Sequence, residues 1–170
     1  MRRRSNLIAF PLMAIKLTFC TIGKPRASWA ADALDHYTRF LSKYGEVSFR
    51  HAKPASSSLT NEKEIIRIEG DRILELIKNE SGFKIACDKS GKSFDSESFA
   101  KKLQKGTDAK SGRAIIVIGG AWGLDQRVLD SADLVWSFGP MTLPHELGLI
   151  TACEQTARAL SILRGDQYHK

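Results

Sequence analysis

Two stretches of this 170-residue chain hold residue types from which a ligand pocket can be built. Residues 114–118 are apolar and mostly β-branched and run into Gly119, Gly120 and Gly123; residues 134–138 run through Phe138 into Gly139, Pro140, Met141, Thr142, Leu143 and Pro144. Such runs bounded by turn formers read as buried strands, each opening into a loop at its carboxyl end. In open α/β sheets ligands bind there, because loops leaving the strand ends leave a crevice with free backbone N–H and C=O groups. Lacking Cβ atoms, the three glycines allow a planar or bulky ligand close to the backbone. Pro140 and Pro144 stiffen the second loop, and Pro144 stands where it can open the next helix. The two loops are read as a small-molecule pocket, although a Gly-Gly-x-x-Gly turn alone is more often a plain strand-to-helix connection.

The elements that must hold these loops follow from periodicity. Residues 16–22 alternate and stop at Gly23, a first strand. Trp29, Ala33, Tyr37, Phe40 and Tyr44 recur at three and four, predicting a helix over 28–44. Residues 46–52 follow as a second strand and 54–58 as a polar loop. Asn61 with Glu64 signals a helix start, and Ile65, Ile66, Ile73, Leu76 and Ile77 give its stripe as far as about Gly82. Residues 83–87 read as a third strand that ends before the polar run 88–92. Asp95 caps the next helix, with Phe94 and Phe99 placed as a hydrophobic staple, and a short helix around 125–131 joins the two strands described first.

The last helix, over 144–163, carries two adjacent apolar stripes. One is Leu147, Ile150, Cys153, Ala157, Leu160 and Leu163; the other is Leu149, Ala152, Thr156 and Ala159. Two stripes imply contact on both sides, by threading into the domain or by packing against another copy. The alternation of strands and helices predicts an α/β fold, a mostly parallel sheet flanked by helices on both faces.

Length and composition fit one domain with a real core: 42% of residues are hydrophobic, which argues against disorder. Arg2, Arg3 and Arg4 supply three of the net +7 charges, leaving +4 on the rest, a mild bias toward polyanions that solvated lysines explain almost as well. Cys20, Cys87 and Cys153 are odd in number and far apart, which suits a reducing compartment and a cytoplasmic protein, and no Cys/His spacing suggests zinc, so no metal is expected. The arginines and the apolar run after them imitate a secretory signal, but Lys16 interrupts the run, no small-residue cleavage site follows, and the run is too short to span a bilayer. Residues 1–15 are therefore expected to be a tail or a mis-assigned start, with translation beginning at Met13, and 16–170 the folded domain.

One set of motifs is specific. Ile118-Gly119-Gly120-x-x-Gly123-Leu124, Ser137-Phe138, Met141-Thr142-Leu143-Pro144-His145, Glu154-Gln155 with Arg158-Ala159, and the terminal Tyr168-His169-Lys170 together resemble the RlmH (YbeA) family. These are pseudouridine N3-methyltransferases of 23S ribosomal RNA within the SPOUT superfamily, and the resemblance runs from about residue 16 to 170. It implies a homodimeric SPOUT α/β-knot domain with a C-terminal trefoil knot, an exception to the rule against threaded chains. It also implies that the loops after strands three, four and five hold S-adenosylmethionine in a bent shape. Carried over by position, the cofactor-binding residues are Cys87, Gly119, Gly120, Phe138, Gly139, Pro140, Met141, Thr142 and Leu143. The family commonly has arginine at the position of Leu149 and tyrosine at that of Ala157, so RNA contact or the dimer face differs here.

The reaction so implied is in-line transfer of a sulfonium methyl to N3 of a pseudouridine, in which alignment of donor and acceptor can contribute roughly 7–11 kcal/mol. A base must take the N3 proton, or the surroundings must favour the N3 anion. His145, Arg158, Tyr168 and His169 are the catalytic candidates. Each has a plainer alternative: His145 as a helix cap, Arg158 as the i,i+4 partner of Glu154, Tyr168 and His169 as an untied terminus. Trp122 and Trp136 are expected to be packing residues, and Cys87 a small core residue that lends its backbone to the cofactor. No separate RNA-binding module is recognisable, so the expected partner is 23S rRNA within the large subunit or whole ribosome, with no membrane. Two rival classes stay open: a nucleotide-binding α/β module, although Gly23-Lys24-Pro25-Arg26 lacks the phosphate-loop spacing, and a ribosome-associated factor without catalysis.

Overall fold

The structure, a computed structural model, describes residues 15–168. Strands and helices alternate: β1 (Ile15–Ile22), α1 (Ser28–Leu41), β2 (Gly45–Ala52), α2 (Glu62–Ile77), β3 (Phe83–Lys92), α3 (Ser96–Asp108), β4 (Arg113–Ile118), α4 (Gln126–Asp130), β5 (Leu134–Trp136) and α5 (His145–Arg164). All four strand pairings are parallel, in the order β2-β1-β4-β3-β5. The expected mostly parallel sheet is therefore present.

Successive strand side chains point to opposite faces, so central strands must be apolar throughout if both faces are covered. Leu17, Phe19, Ile116 and Ile118 join one core with residues of α1, α3 and α5. Their neighbours Cys20, Ile22, Ile115 and Val117 join a second with Ile73 and Ile77 of α2 and Val128 of α4. The helices start where polar caps accept backbone N–H groups: Asn61 Oδ1 from Glu64 at 3.2 Å, Asp95 Oδ1 from Ser98 at 2.6 Å, and Asp125 Oδ1 from Arg127 at 2.8 Å.

Several boundaries differ from expectation. α1 stops at Leu41 rather than Tyr44, because Gly45 already opens β2 hard against β1, where a Cβ would lie 1.9 Å from the Ile15 carbonyl oxygen. α2 ends at Ile77 and leaves 78–82 as a turn. β3 does not end at Cys87. It continues past an irregularity to Lys92, which pairs with Trp136 and accepts a hydrogen bond from Ser137 N at 3.0 Å. β5 is shorter, since Ser137 leaves the sheet and its Oγ accepts Gly139 N–H at 3.1 Å. Pro144 is the residue before α5, with extended backbone, rather than its first helical residue.

α5 lies between α1 and α3 on one sheet face. Leu149, Ala152, Cys153, Thr156, Ala157, Ala159 and Leu160 are all fully buried there. The two-sided apolar helix thus finds both of its partners inside the same chain over this stretch, and only Leu147, at 40% exposure, remains open. Residues 1–14, including the expected start at Met13, lie outside the described residues, as do His169 and Lys170.

Candidate functional site

The sheet order makes β4, β3 and β5 neighbours, so the turns leaving their carboxyl ends converge. Between them lies a cavity of about 250 Å³. Its wall includes Cys87 from β3, Gly119 and Gly120 after β4, Phe138, Gly139, Met141, Thr142 and Leu143 after β5, and His145 at the start of α5. Pro140 is the exception among the expected contacts: Gly139, with φ +118°, turns the chain and leaves Pro140 exposed off the wall.

The glycine turn closes on itself. Gly123 N–H donates to the Gly120 carbonyl at 3.1 Å, Gly123 adopts φ +89°, and a Cβ on Gly119 would stand 2.7 Å from the Gly123 carbonyl group. Neither a larger residue at 119 nor an ordinary backbone at 123 is compatible with this turn.

Sequence reasoning missed other wall residues. Asp88 and Lys89 enter because β3 runs on past Cys87. Gly148 enters because it stands one turn after His145 on the same face of α5, a spacing that could have revealed it. Trp122 is not a packing residue: it is 50% exposed and lines the cavity, a location no local pattern encodes. Trp136 does pack, buried and stacked on Phe99 with ring centroids 3.7 Å apart. Burial pushes the Cys87 thiol above its ordinary value, the direction opposite to that of a reactive thiolate.

His145 does not act as the side-chain cap of α5, whose first turn has none; its residue faces the cavity. Beside it, Glu146 Oε1 accepts the backbone N–H groups of Arg26 at 2.6 Å and Ala27 at 3.3 Å, which ties the loop after β1 to the start of α5. Arg158 and Tyr168 lie elsewhere. Arg158 Nε donates to Glu154 Oε1 at 3.0 Å, the Tyr168 hydroxyl donates to the same oxygen at 3.2 Å, and the guanidinium sits 4.9 Å from the Tyr168 ring centroid. The Tyr168 ring also packs on Phe40. Burial, with Glu154 next, pushes the Tyr168 phenol up to about 12, and the Glu154 hydrogen bond raises Arg158 further. Tyr168 is thus a hydrogen-bond donor and not a base near neutrality. The thirteen helical steps from His145 to Arg158 span roughly 20 Å, so one chain does not bring the two to one atom. His169 lies outside the described residues.

Residues 15–169 match the family described as predicted SPOUT methyltransferase. The chain belongs to the SPOUT methyltransferase family. It is 35% identical over 161 residues to the ribosomal RNA large subunit methyltransferase H of Carboxydothermus hydrogenoformans, covering 92% of this chain and all of that one. The protein of the same name from Clostridium botulinum strain Kyoto is 36% identical over 160 residues at the same coverage. Among solved structures, a probable methylase family protein of Haemophilus influenzae superposes with TM-score 0.55 at 12% identity, covering 93% of this chain and 72% of that one. A probable methyltransferase of Bordetella pertussis gives 0.54 at 14%, covering 92% and 99%. At such identities the two structures speak for the SPOUT fold alone. Leu149 and Ala157, where the RlmH resemblance implies arginine and tyrosine, are not surface positions: both residues are fully buried, so they shape how α5 packs.

Proposed function

We propose that this SPOUT chain transfers a methyl group from S-adenosylmethionine to N3 of a pseudouridine in 23S rRNA of the large ribosomal subunit. The observation that carries the reading is the glycine-walled cavity at three adjacent strand ends, with an imidazole on its wall. The names of the relatives, ribosomal RNA large subunit methyltransferase H, support the substrate class.

The residues present fit the donor. Gly119 and Gly120 bare their backbone, and Phe138, Met141 and Leu143 offer apolar wall to an adenosine. Asp88 and Lys89 add charges that can meet hydroxyl or carboxylate groups. S-adenosylmethionine supplies an activated sulfonium methyl, so the chain's own task is alignment and proton handling. His145 is the base candidate, because among the three described candidates, His145, Arg158 and Tyr168, its residue alone lies on the wall. Arg158 and Tyr168 suit stabilising the N3 anion and holding the acceptor, but at the far end of α5.

That separation supports a homodimer in which the Glu154–Arg158–Tyr168 end of one protomer serves the cavity of its partner. Exposed apolar side chains, Met141 at 77% and Trp122 at 50% on the cavity wall and Leu147 at 40% in the first turn of α5, give such a dimer a contact surface. A trefoil knot fits the path of the chain, which leaves β5 at the sheet edge and returns to seat α5 between α1 and α3. A crystal structure with the segment after β5 outside the loops of β3 and β4 would remove the knot. The working unit is residues 16–170 as one domain, in the cytoplasm. Among the described residues no helix is long and apolar enough to cross a membrane.

Mass mapping of large-subunit rRNA from cells with and without the gene tests the function: one methyl on one pseudouridine should vanish. An unchanged map overturns it. Assembled ribosomes should be methylated and a short naked hairpin should not; equal rates on both would refute the need for the particle.

A further inference from the structure

Glu69 of α2 is the one ionisable side chain among the buried polar residues described, at 7% exposure. Its Oε1 accepts the Ala55 N–H at 3.1 Å, while Oε2 has no hydrogen-bond partner. A buried carboxylate oxygen left unpaired is costly, and such a group persists where something else requires it. The oxygen's direction shows what it faces. A Cβ built on Gly120 would lie 2.5 Å from Oε2, so the carboxylate presses on the backbone of a residue whose other side is cavity wall. α2 is seated tightly on the start of α4 as well: a Cβ on Gly70, the next residue, would lie 2.4 Å from the Asp125 Cβ. The glycine turn is thus held between Glu69 on one side and the ligand space on the other, with no side chain between.

We infer that Glu69 is a specificity-determining residue for the methyl donor, its carboxylate placed behind Gly120 to favour the cationic sulfonium over the uncharged thioether of S-adenosylhomocysteine. The inference rests on the S-adenosylmethionine reading above. Donor and product differ by one methyl and one positive charge, so a negative charge behind a glycine of the cavity wall would favour the first over the second. The arrangement promotes exchange, since the charge that draws the donor in is lost on transfer and the product is released from the same site. It also accounts for glycine at position 120 by something other than backbone conformation, because any side chain would displace the carboxylate.

Titration calorimetry with S-adenosylmethionine and S-adenosylhomocysteine on the full-length protein and on Glu69→Gln tests this. The amide retains the size and an oxygen to accept Ala55 N–H but not the charge. In the variant the affinity for S-adenosylmethionine should fall roughly ten-fold while that for S-adenosylhomocysteine changes less than about two-fold. Equal losses for both ligands would make Glu69 a scaffold for the turn, and no loss for either would make it a bystander; each overturns the inference. If the wild-type protein bound neither ligand, the donor reading itself would fail instead. Should Glu69→Gln not fold by circular dichroism, the wild-type protein decides with sinefungin, which carries an ammonium in place of the methylsulfonium. Sinefungin should bind more tightly than S-adenosylhomocysteine, and equal or weaker binding would refute the role of charge.

Discussion

Glu146 Oε1 accepts the backbone N–H of Arg26 at 2.6 Å, so the first turn of α5 grips the loop leaving β1. That bond is the chief reason the Glu146 carboxyl lies below its ordinary value of 4.5. A lowered folded value means that the bond's contribution is present above the ordinary carboxylate range and is lost as pH falls through the folded value. Amide exchange at Arg26 and Ala27 should therefore accelerate, relative to β4, only in acid below that range. Glu146→Ala should show the same acceleration at pH 7. Exchange by mass spectrometry or NMR reads both, and unchanged protection in the variant would remove the contact from the account.

Gly120→Ala places a methyl 2.5 Å from Glu69 Oε2, so the buried carboxylate must be displaced from behind the turn. Overpacking of this kind costs about 1–3 kcal/mol. The expected outcome is a lower melting temperature together with at least ten-fold weaker donor binding by calorimetry. Gly165→Ala, with nothing within 4 Å of its Cβ position but a φ of +75°, is the control: it should lower stability and leave donor affinity unchanged.

Tyr168 and Arg158 share Glu154 Oε1, so Tyr168→Phe removes one hydrogen bond while the ring stays against Phe40. Urea melts should show a loss of about 1 kcal/mol at pH 7. Because the folded phenol is raised to about 12 from 10, its contribution is complete below pH 10 and fades as pH rises toward 12. The gap in stability between the wild type and Tyr168→Phe should narrow across that window; a constant gap would assign the effect to packing.

Leu149 is fully buried where the RlmH resemblance puts arginine. Leu149→Arg would bury an unpaired charge among α1, α3 and α5, at a cost of about 3–5 kcal/mol. Denaturant melts check this, and a variant as stable as the wild type would show that α5 shifts to let the side chain out.

Subunit mixing tests the shared site. His145→Ala and Arg158→Ala should each be inactive alone, and part of the activity should return when the two are co-refolded, because one cavity of each mixed dimer then holds both intact residues. No recovery, with dimers verified by native mass spectrometry, would place both groups on one protomer's reaction path.

The sequence by itself determined the order of strands and helices, since continuous apolar runs and three-four periodicity report local burial, and it located the caps Asn61 and Asp95 because capping is chemistry among neighbours. It also marked the glycine and Thr-Leu-Pro-His loops, which the structure brings together as the wall of one cavity. Only the tertiary structure decided what depended on distant partners. β3 continues to Lys92 because β5 is there to pair with, Pro140 faces outward because Gly139 turns the chain, and Trp122 stands in the cavity wall. The same holds for Glu69, one acid on an otherwise ordinary amphipathic helix until Gly120, fifty-one residues later, is folded against it. Local pattern encodes which face of an element is buried; what lies on the other side of that face is set by sheet order and close packing, which the chain acquires only when folded.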